Sequence, residues 1–244
     1  MNPLFIRKLT IDRASLPEDS YLRGLPAVRC GELHFRRPIT FFIGENGMGK
    51  STLVEAIAVA SGLNPEGGSR NFQFSTRDSH SVLYRALRLE KNPLTPRDAY
   101  FLRAESFYNV ATNIEQLDGD SPSIIGAYGG RSLHEQSHGE SFLALVQNRF
   151  RSGGLYFLDE PEAALSPTGQ MALLARIYRL AGQGSQFVIA THSPLLIACP
   201  GADVYELGEA GPRLTPYDQT AHYQIFRHFL NKPEDMLRVL LEEE

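Results

Sequence analysis

Gly44-Glu45-Asn46-Gly47-Met48-Gly49-Lys50-Ser51-Thr52 fits the phosphate-binding pattern G-x-x-x-x-G-K-[ST] at every fixed position. Each residue type answers a need of a phosphate chain. Glycines let the backbone curl so that its N–H groups face the anion. The Lys50 ammonium can reach the terminal phosphates, and the Ser51 hydroxyl can bind magnesium. A helix opening at the loop sets the positive end of its dipole beneath the phosphates. Such a loop must follow a strand and precede a helix. Ile39 to Ile43 reads as a short apolar strand. Thr52 to Ser61 reads as a helix, with Leu53, Ile57 and Ala60 at helical spacing. A chance match would have to supply this context as well as the motif.

Three further clusters could complete a site. Leu155-Tyr156-Phe157-Leu158-Asp159-Glu160 is an apolar run ending in two acids, the pattern of a central strand whose tip enters a polar site. Asp159 can hold the magnesium shell, directly or through water. Glu160 can orient or deprotonate an attacking water. The alternative is a strand that simply ends in an exposed acidic turn, but the phosphate loop needs such an acid. His192, in Ala190-Thr191-His192-Ser193-Pro194, follows the apolar strand Gln186 to Ala190. The carboxyl end of a parallel strand is where ligands bind in such sheets, so His192 could meet a terminal phosphate or a water. A structural or solvated histidine is the alternative.

The fourth cluster is Ser137-His138-Gly139-Glu140-Ser141, with Phe142, Leu145 and Val146 following at helical spacing. Ser137 and Glu140 form a capping box. The same helix start could bind an anion, with Gly139 allowing close approach. An exposed helix dipole contributes only about 0.3–1 kcal/mol. Its effect grows where a buried phosphate meets several N–H groups.

The elements that would position these residues fall into two halves. Leu4 to Ile11 and Gly31 to Phe35 read as strands of an antiparallel layer. Asn64 to Ser79 reads as a surface loop, and Val82 to Leu89 with Asp98 to Leu102 as strands of a meander. Ser106 to Gln116 has a helical pattern, interrupted by the Gly/Ser-rich stretch Asp118 to Gly130. The second half alternates strand and helix as a parallel sheet does. Ser166-Pro167 is an N-cap with proline at the first helical position, and Met171, Leu174 and Tyr178 line one face of that helix. Gly182 and Gly184 end it. Val204 to Leu207 reads as a late strand. Two amphipathic helices close the chain, the last with Leu237, Leu240 and Leu241 on one face. Its terminal Glu242-Glu243-Glu244 opposes the helix dipole.

The 244 residues suit one large α/β domain or two small ones, with enough apolar content for a real core. A net charge of −4 gives no sign of a strongly basic nucleic-acid binder, though a local basic patch stays open. Two cysteines, Cys30 and Cys199, are too few for a disulfide framework and lack metal-site spacing, so reduced thiols in a cytoplasmic protein are expected. No segment has the length of a membrane span or the form of a targeting peptide.

The order of phosphate loop, SHGES, LDEPEAALSP and THSP resembles the ABC-type ATPase superfamily, from Phe5 to about Leu207. DEPE followed by THSP is most similar to stand-alone predicted ATPases related to SMC, RecF and OLD proteins, which act in DNA maintenance or phage defence. Transporter ATPases typically carry LSGGQ and DEPTSALD. The resemblance implies an α/β P-loop NTPase fold with a mixed central sheet flanked by helices and an N-terminal antiparallel layer. A single domain would span 1–244, with a helical subdomain at about 105–150 carrying the signature. ATP and Mg2+ are the implied cofactors. Gly44 to Thr52 would be Walker A, with Ser51 and Asp159 on the metal. Lys50, Glu160 and His192 would be catalytic.

The resemblance also implies an ATP-dependent homodimer. Ser137, Gly139 and Glu140 would grip the nucleotide held by the facing copy, with Leu165-Ser166 close to that copy. A separate effector protein would be driven, and nucleic acid is a possible partner. The alternative is the nucleotide-binding subunit of an ABC transporter, coupled to a separate membrane protein. No Q-loop glutamine follows the strand Asp98 to Leu102. Glu105 either takes its place near magnesium and water or is a surface acid. SMC-type coiled coil is missing, and the chain is too short to append an OLD-type nuclease domain. Candidate docking surfaces are the Asn64 to Ser79 loop, the helix around Asn109 to Gln116, and the C-terminal helices. For each of them an ordinary solvated face is the plainer reading.

Overall fold

A computed structural model of the chain describes residues 3–69, 81–105 and 138–241. The first part runs through β1 (Ile6–Ile11), three short 3-10 helices between Arg13 and Val28, β2 (Glu32–His34), β3 (Ile39–Gly44) and α1 (Lys50–Ala60). The two-residue β4 (Gly68–Ser69), β5 (Leu87–Lys91) and β6 (Asp98–Arg103) follow. The second part contains α2 (His138–Arg149), β7 (Gly154–Asp159), α3 (Pro167–Gly182), β8 (Gln186–Ala190), β9 (Asp203–Gly208) and β10 (Gly211–Leu214). It ends with α4 (Ala221–Asn231) and α5 (Pro233–Leu241).

Among the described residues these strands form two sheets. A three-stranded antiparallel sheet has the order β2-β1-β5, and a seven-stranded sheet the order β10-β9-β3-β8-β7-β6-β4. Strands β9, β3, β8, β7 and β6 are parallel, with β10 and β4 as antiparallel edges. This is the mixed central sheet with an N-terminal antiparallel layer that the sequence implies.

The central strands are buried on both faces, which is why they read as unbroken apolar runs. Their period of two sorts each run between two cores. Phe42, Phe101, Phe157 and Val188 face α1 and the small sheet, together with Leu53, Val54 and Ile57. Phe41, Tyr100, Tyr156 and Phe187 face α2 and α3, together with Phe142, Val146, Leu173 and Ile177. A buried polar side chain joins the layers. The Gln186 amide accepts from the Phe5 and Ile6 N–H groups at 2.8 and 2.9 Å and donates to the Ile6 carbonyl at 2.9 Å.

Three expectations need correction. Val82 to Leu89 and Asp98 to Leu102 do not form a meander. Val82–Ala86 is a 3-10 helix started by the Ser81 side chain; β5 then joins β1 in the small sheet, while β6 joins β7 in the large one. Asn64 to Ser79 is not wholly a surface loop, because Gly68 and Ser69 are buried and pair with Phe101 and Tyr100. Met171 and Tyr178 lie on the outer face of α3, 53% and 55% exposed. The buried stripe is Leu173, Ile177, Leu180 and Ala181, offset by one residue step around the same helix. Its predicted cap is present: the Ser166 hydroxyl accepts from the Gly169 N–H at 3.2 Å, with Pro167 behind it. The helical pattern of Ser106 to Gln116, the Asp118 to Gly130 stretch and Glu242 to Glu244 lie outside the described residues.

The two closing helices are amphipathic as expected, yet neither has a buried residue. Ile225, Phe226, Phe229 and Leu230 on α4 are exposed, as are Leu237, Leu240 and Leu241 on α5. No described helix is long and apolar enough to cross a membrane.

Candidate functional site

Parallel register brings the motif residues to one edge. Arg103 pairs with Asp159, Asp159 with Ala190, Phe42 with Ala190, and Gly44 with Leu207. The carboxyl ends of β6, β7, β8 and β3 therefore open onto the same space, where α1 begins. Gly44 must be glycine: its φ is +140°, and a Cβ there would lie 2.5 Å from the Leu207 carbonyl oxygen. Gly49 also has positive φ, +88°, and packs its missing side chain against Ala27 and Leu25. Glu45, Asn46, Gly47 and Met48 complete the turn, and Ser51 and Thr52 lie in the first turn of α1. The Lys50 ammonium is buried and donates to the carbonyls of Gly44 and Glu45, at 2.9 and 3.0 Å. Burial lowers its pKa, opposed by Glu160, Asp159, Glu162 and Glu45.

Glu160 leaves β7 in a left-handed conformation, φ 49° and ψ 49°, the one such non-glycine residue among those described. Proline at 161 follows at once, so the chain turns sharply off the sheet edge. Conformations of this kind cost about 1–3 kcal/mol and concentrate at functional sites. Glu160 Oε1 lies 3.6 Å from His192 Nε2, and both side chains are partly exposed toward the common space. The imidazole pKa is lowered by burial and by the Lys50 charge, against the pull of Glu160, so the ring favours its neutral form.

Asp159 is buried at the strand tip, and burial pushes its carboxyl up to about 6. A hydrogen bond from the Ser51 hydroxyl and the charge of Arg103 oppose that rise. Its Oδ1 is buried without a hydrogen-bond partner among the described residues. An orphaned carboxylate oxygen beside a serine hydroxyl is the donor set that magnesium takes when phosphate and water fill its other positions. Ser51 and Asp159 therefore fit the implied ion.

Arg103, Glu55, Glu162 and His222 were not among the expected site residues. Arg103 ends β6 and places Nε 3.5 Å from Asp159 Oδ2 and Nη1 2.7 Å from Glu55 Oε2. Glu55 is a buried acid in the middle of α1 and also accepts from the Ser81 N–H. Two cues were legible: a charged residue just past an apolar strand, and an acid inside an apolar helix. Glu162 Oε1 accepts the His192 backbone N–H. The His222 ring, in the first turn of α4, sits 5.8 Å from that of His192, and nothing in the sequence signalled this approach.

The remaining expected residues are placed as follows. Glu105 is exposed and reaches Arg103 at 3.8 Å from the solvent side. Glu140 is exposed in the first turn of α2. Gly139 has a close approach within its own chain, since a Cβ there would lie 2.8 Å from the Ala164 carbonyl oxygen. Leu165 is buried in its own core, whereas Ser166 is exposed. Ser137 lies outside the described residues.

Comparison with known proteins agrees with this geometry. A family profile described as "AAA domain, putative AbiEii toxin, Type IV TA system" matches residues 126–198, and one described as "AAA domain" matches residues 21–99. The second contains the phosphate loop; the first contains Asp159, Glu160 and His192. The chain is 27% identical over 187 residues to the cobalt import ATP-binding protein CbiO of Salmonella typhimurium, which covers 71% of this chain and 66% of that protein. It thus spans just under two thirds of that relative's length. Among solved structures, CbiO1 from Clostridium perfringens, part of the ABC transporter complex CbiONQ, aligns over 94% of this chain and 97% of its own, with a TM-score of 0.54 and 15% identity. A nucleotide-free ATP-binding cassette from an ABC transporter aligns over 96% and 97%, with a TM-score of 0.50 and 16% identity.

Profiles and fold together give a class: two stretches of the chain match AAA-domain profiles, and its fold is like that of ATP-binding cassettes. The resemblance read from the motifs is borne out at that level.

Proposed function

We propose that this chain hydrolyses ATP with Mg2+, that two copies close head to tail around two ATP, and that their opening drives a separate effector protein. DNA maintenance or phage defence is the proposed setting. The observation that carries the reading is the convergence of Lys50, Asp159, Glu160 and His192 on one sheet edge above the start of α1.

In this reading Lys50 exchanges its carbonyl partners for phosphate oxygens, and the backbone N–H groups of Gly47 to Ser51 cradle the rest. Ser51 and Asp159 hold the magnesium, which neutralises charge developing on the phosphates. Glu160 orients a water and accepts its proton. His192 sits across the 3.6 Å gap, too wide for a direct hydrogen bond and suited to a shared water or phosphate oxygen. Ser137, Gly139 and Glu140 are proposed to meet the nucleotide of the facing copy, and Glu105 to lie beside the magnesium and water through Arg103. Loss of the terminal phosphate then removes the ligand shared by the two copies.

Glu160→Gln tests the chemistry. It is expected to keep ATP binding and to slow phosphate release by about 10²-fold or more. Near-normal release would remove Glu160 from its role. The similarity to CbiO favours a second reading, an ATP-binding subunit of a transporter. Co-purification with a membrane-spanning protein would support it. Stimulation of phosphate release by DNA, steeply lowered by salt, would support a nucleic-acid setting instead.

A further inference from the structure

We infer that Glu162 is a positioning residue for His192: its carboxylate holds the His192 backbone N–H and so keeps the imidazole facing Glu160. The inference rests on the proposed hydrolytic site and deepens it. Glu162 belongs to the short 3-10 helix Pro161–Ala164, which the left-handed turn at Glu160 folds back beneath the end of β8. The turn is itself tied to that strand, because the Glu160 N–H donates to the Ala190 carbonyl at 2.9 Å. Glu162 Oε1 accepts the N–H of His192, while its Oε2 is buried without a hydrogen-bond partner among the described residues.

The rest of the segment is fastened as well. The Thr191 N–H donates to the Phe42 carbonyl at 3.1 Å. Thr191 Oγ1 accepts from the Ser193 N–H at 3.0 Å, and Ser193 Oγ donates to Gln170 Oε1 on α3 at 2.6 Å. Between these anchors, the His192 N–H has one acceptor, Glu162. Removing it leaves a donor without its partner at the residue whose ring must hold its place. Burying a carboxylate is costly unless it is hydrogen-bonded, and burial does raise the Glu162 pKa against the bond from the His192 N–H. A carboxylate in such a position has a specific task. Glu160 and His192 are thereby coupled through the backbone as well as across space: one three-residue step from Asp159 to Glu162 carries the metal ligand, the base and the clamp.

The test compares Glu162→Ala, Glu162→Asp and Glu162→Gln in the full chain, each alone, and Glu162→Ala combined with His192→Ala. Asp keeps the charge but is one methylene too short to reach; Gln keeps a reaching acceptor. The Ala and Asp variants are expected to lower kcat about tenfold or more, with KM within about twofold, and Gln to recover most of the loss. Misplacement by about 1 Å costs up to 10²-fold. With His192 already replaced, Glu162→Ala is expected to cost little more. An equal loss in that background, or Gln no better than Ala, would overturn the inference. If the wild-type chain releases no phosphate, the hydrolytic reading fails, and the clamp is read from NMR alone. The His192 amide proton is expected downfield in the wild type, shifted upfield in Ala and Asp, and retained in Gln; an unmoved resonance in Ala and Asp overturns it.

Discussion

Asp159 shows what a buried acid at a strand tip costs. Its carboxyl is raised to about 6 because burial outweighs the help of Ser51 and Arg103. For a raised acid, the folded state holds its proton more tightly than the unfolded state does. That contribution is complete below the ordinary value of 3.8 and is lost as the pH rises through about 6. Above it, the metal-free fold carries a buried charge that Ser51 and Arg103 offset only in part. Asp159→Asn is therefore expected to raise the metal-free Tm near neutral pH, by up to about 3 kcal/mol of stability. The gain should shrink as the pH falls from about 6 to about 4. A thermal melt across that range checks it. In the proposed function nucleotide with magnesium raises the Tm of the wild type, and the same variant is expected to lose that rise.

Residues with a fixed pattern were legible in sequence: the phosphate loop, Asp159-Glu160 and His192 stand where their motifs place them. Arg103 and Glu55 were not read, because an ion pair between a strand tip and a helix interior is long-range, set by register rather than spacing. Arg103→Ala is expected to weaken magnesium-dependent nucleotide binding as Asp159 loses its orienting partner. Titration of nucleotide with and without magnesium reads that difference.

At the scale of elements, strand runs were legible because both sheet faces are covered, so continuous apolar stretches had one explanation. Partner choice was not. Val82 to Leu89 and Asp98 to Leu102 sit close in sequence, and a hairpin is the cheap closure. The structure instead sends β5 to β1 and β6 to β7, where apolar faces are buried on the main core. On α3, Met171 and Tyr178 are as apolar as the residues that pack; only the sheet's position selects Leu173 and Ile177. The junction of β3 with its loop is the tightest point. Gly44→Ala meets both a positive φ and the Leu207 carbonyl, and should cost about 2 kcal/mol or more. Gly47→Ala meets open space at φ +81°, so it carries only the backbone strain, about 1–2 kcal/mol. Urea midpoints at unchanged m-value distinguish the two.

For the whole molecule, the candidate site's edge is built from one chain, with the Glu160 and His192 side chains partly exposed. In the proposed mechanism a second copy covers that edge. Helix α4 begins at this edge through His222 and leads into the exposed apolar face of α4 and α5, so the start of the phosphate loop lies next to the root of the C-terminal helices. Those helices were readable as amphipathic from their spacing, whereas their contact with the site depends on where β9 and β10 deliver the chain. The most direct measurement is sedimentation of the Glu160→Gln variant with ATP and Mg2+. Twice the chain mass with ATP, and a single chain with ADP, is the predicted result; a single chain with ATP at every concentration would contradict it.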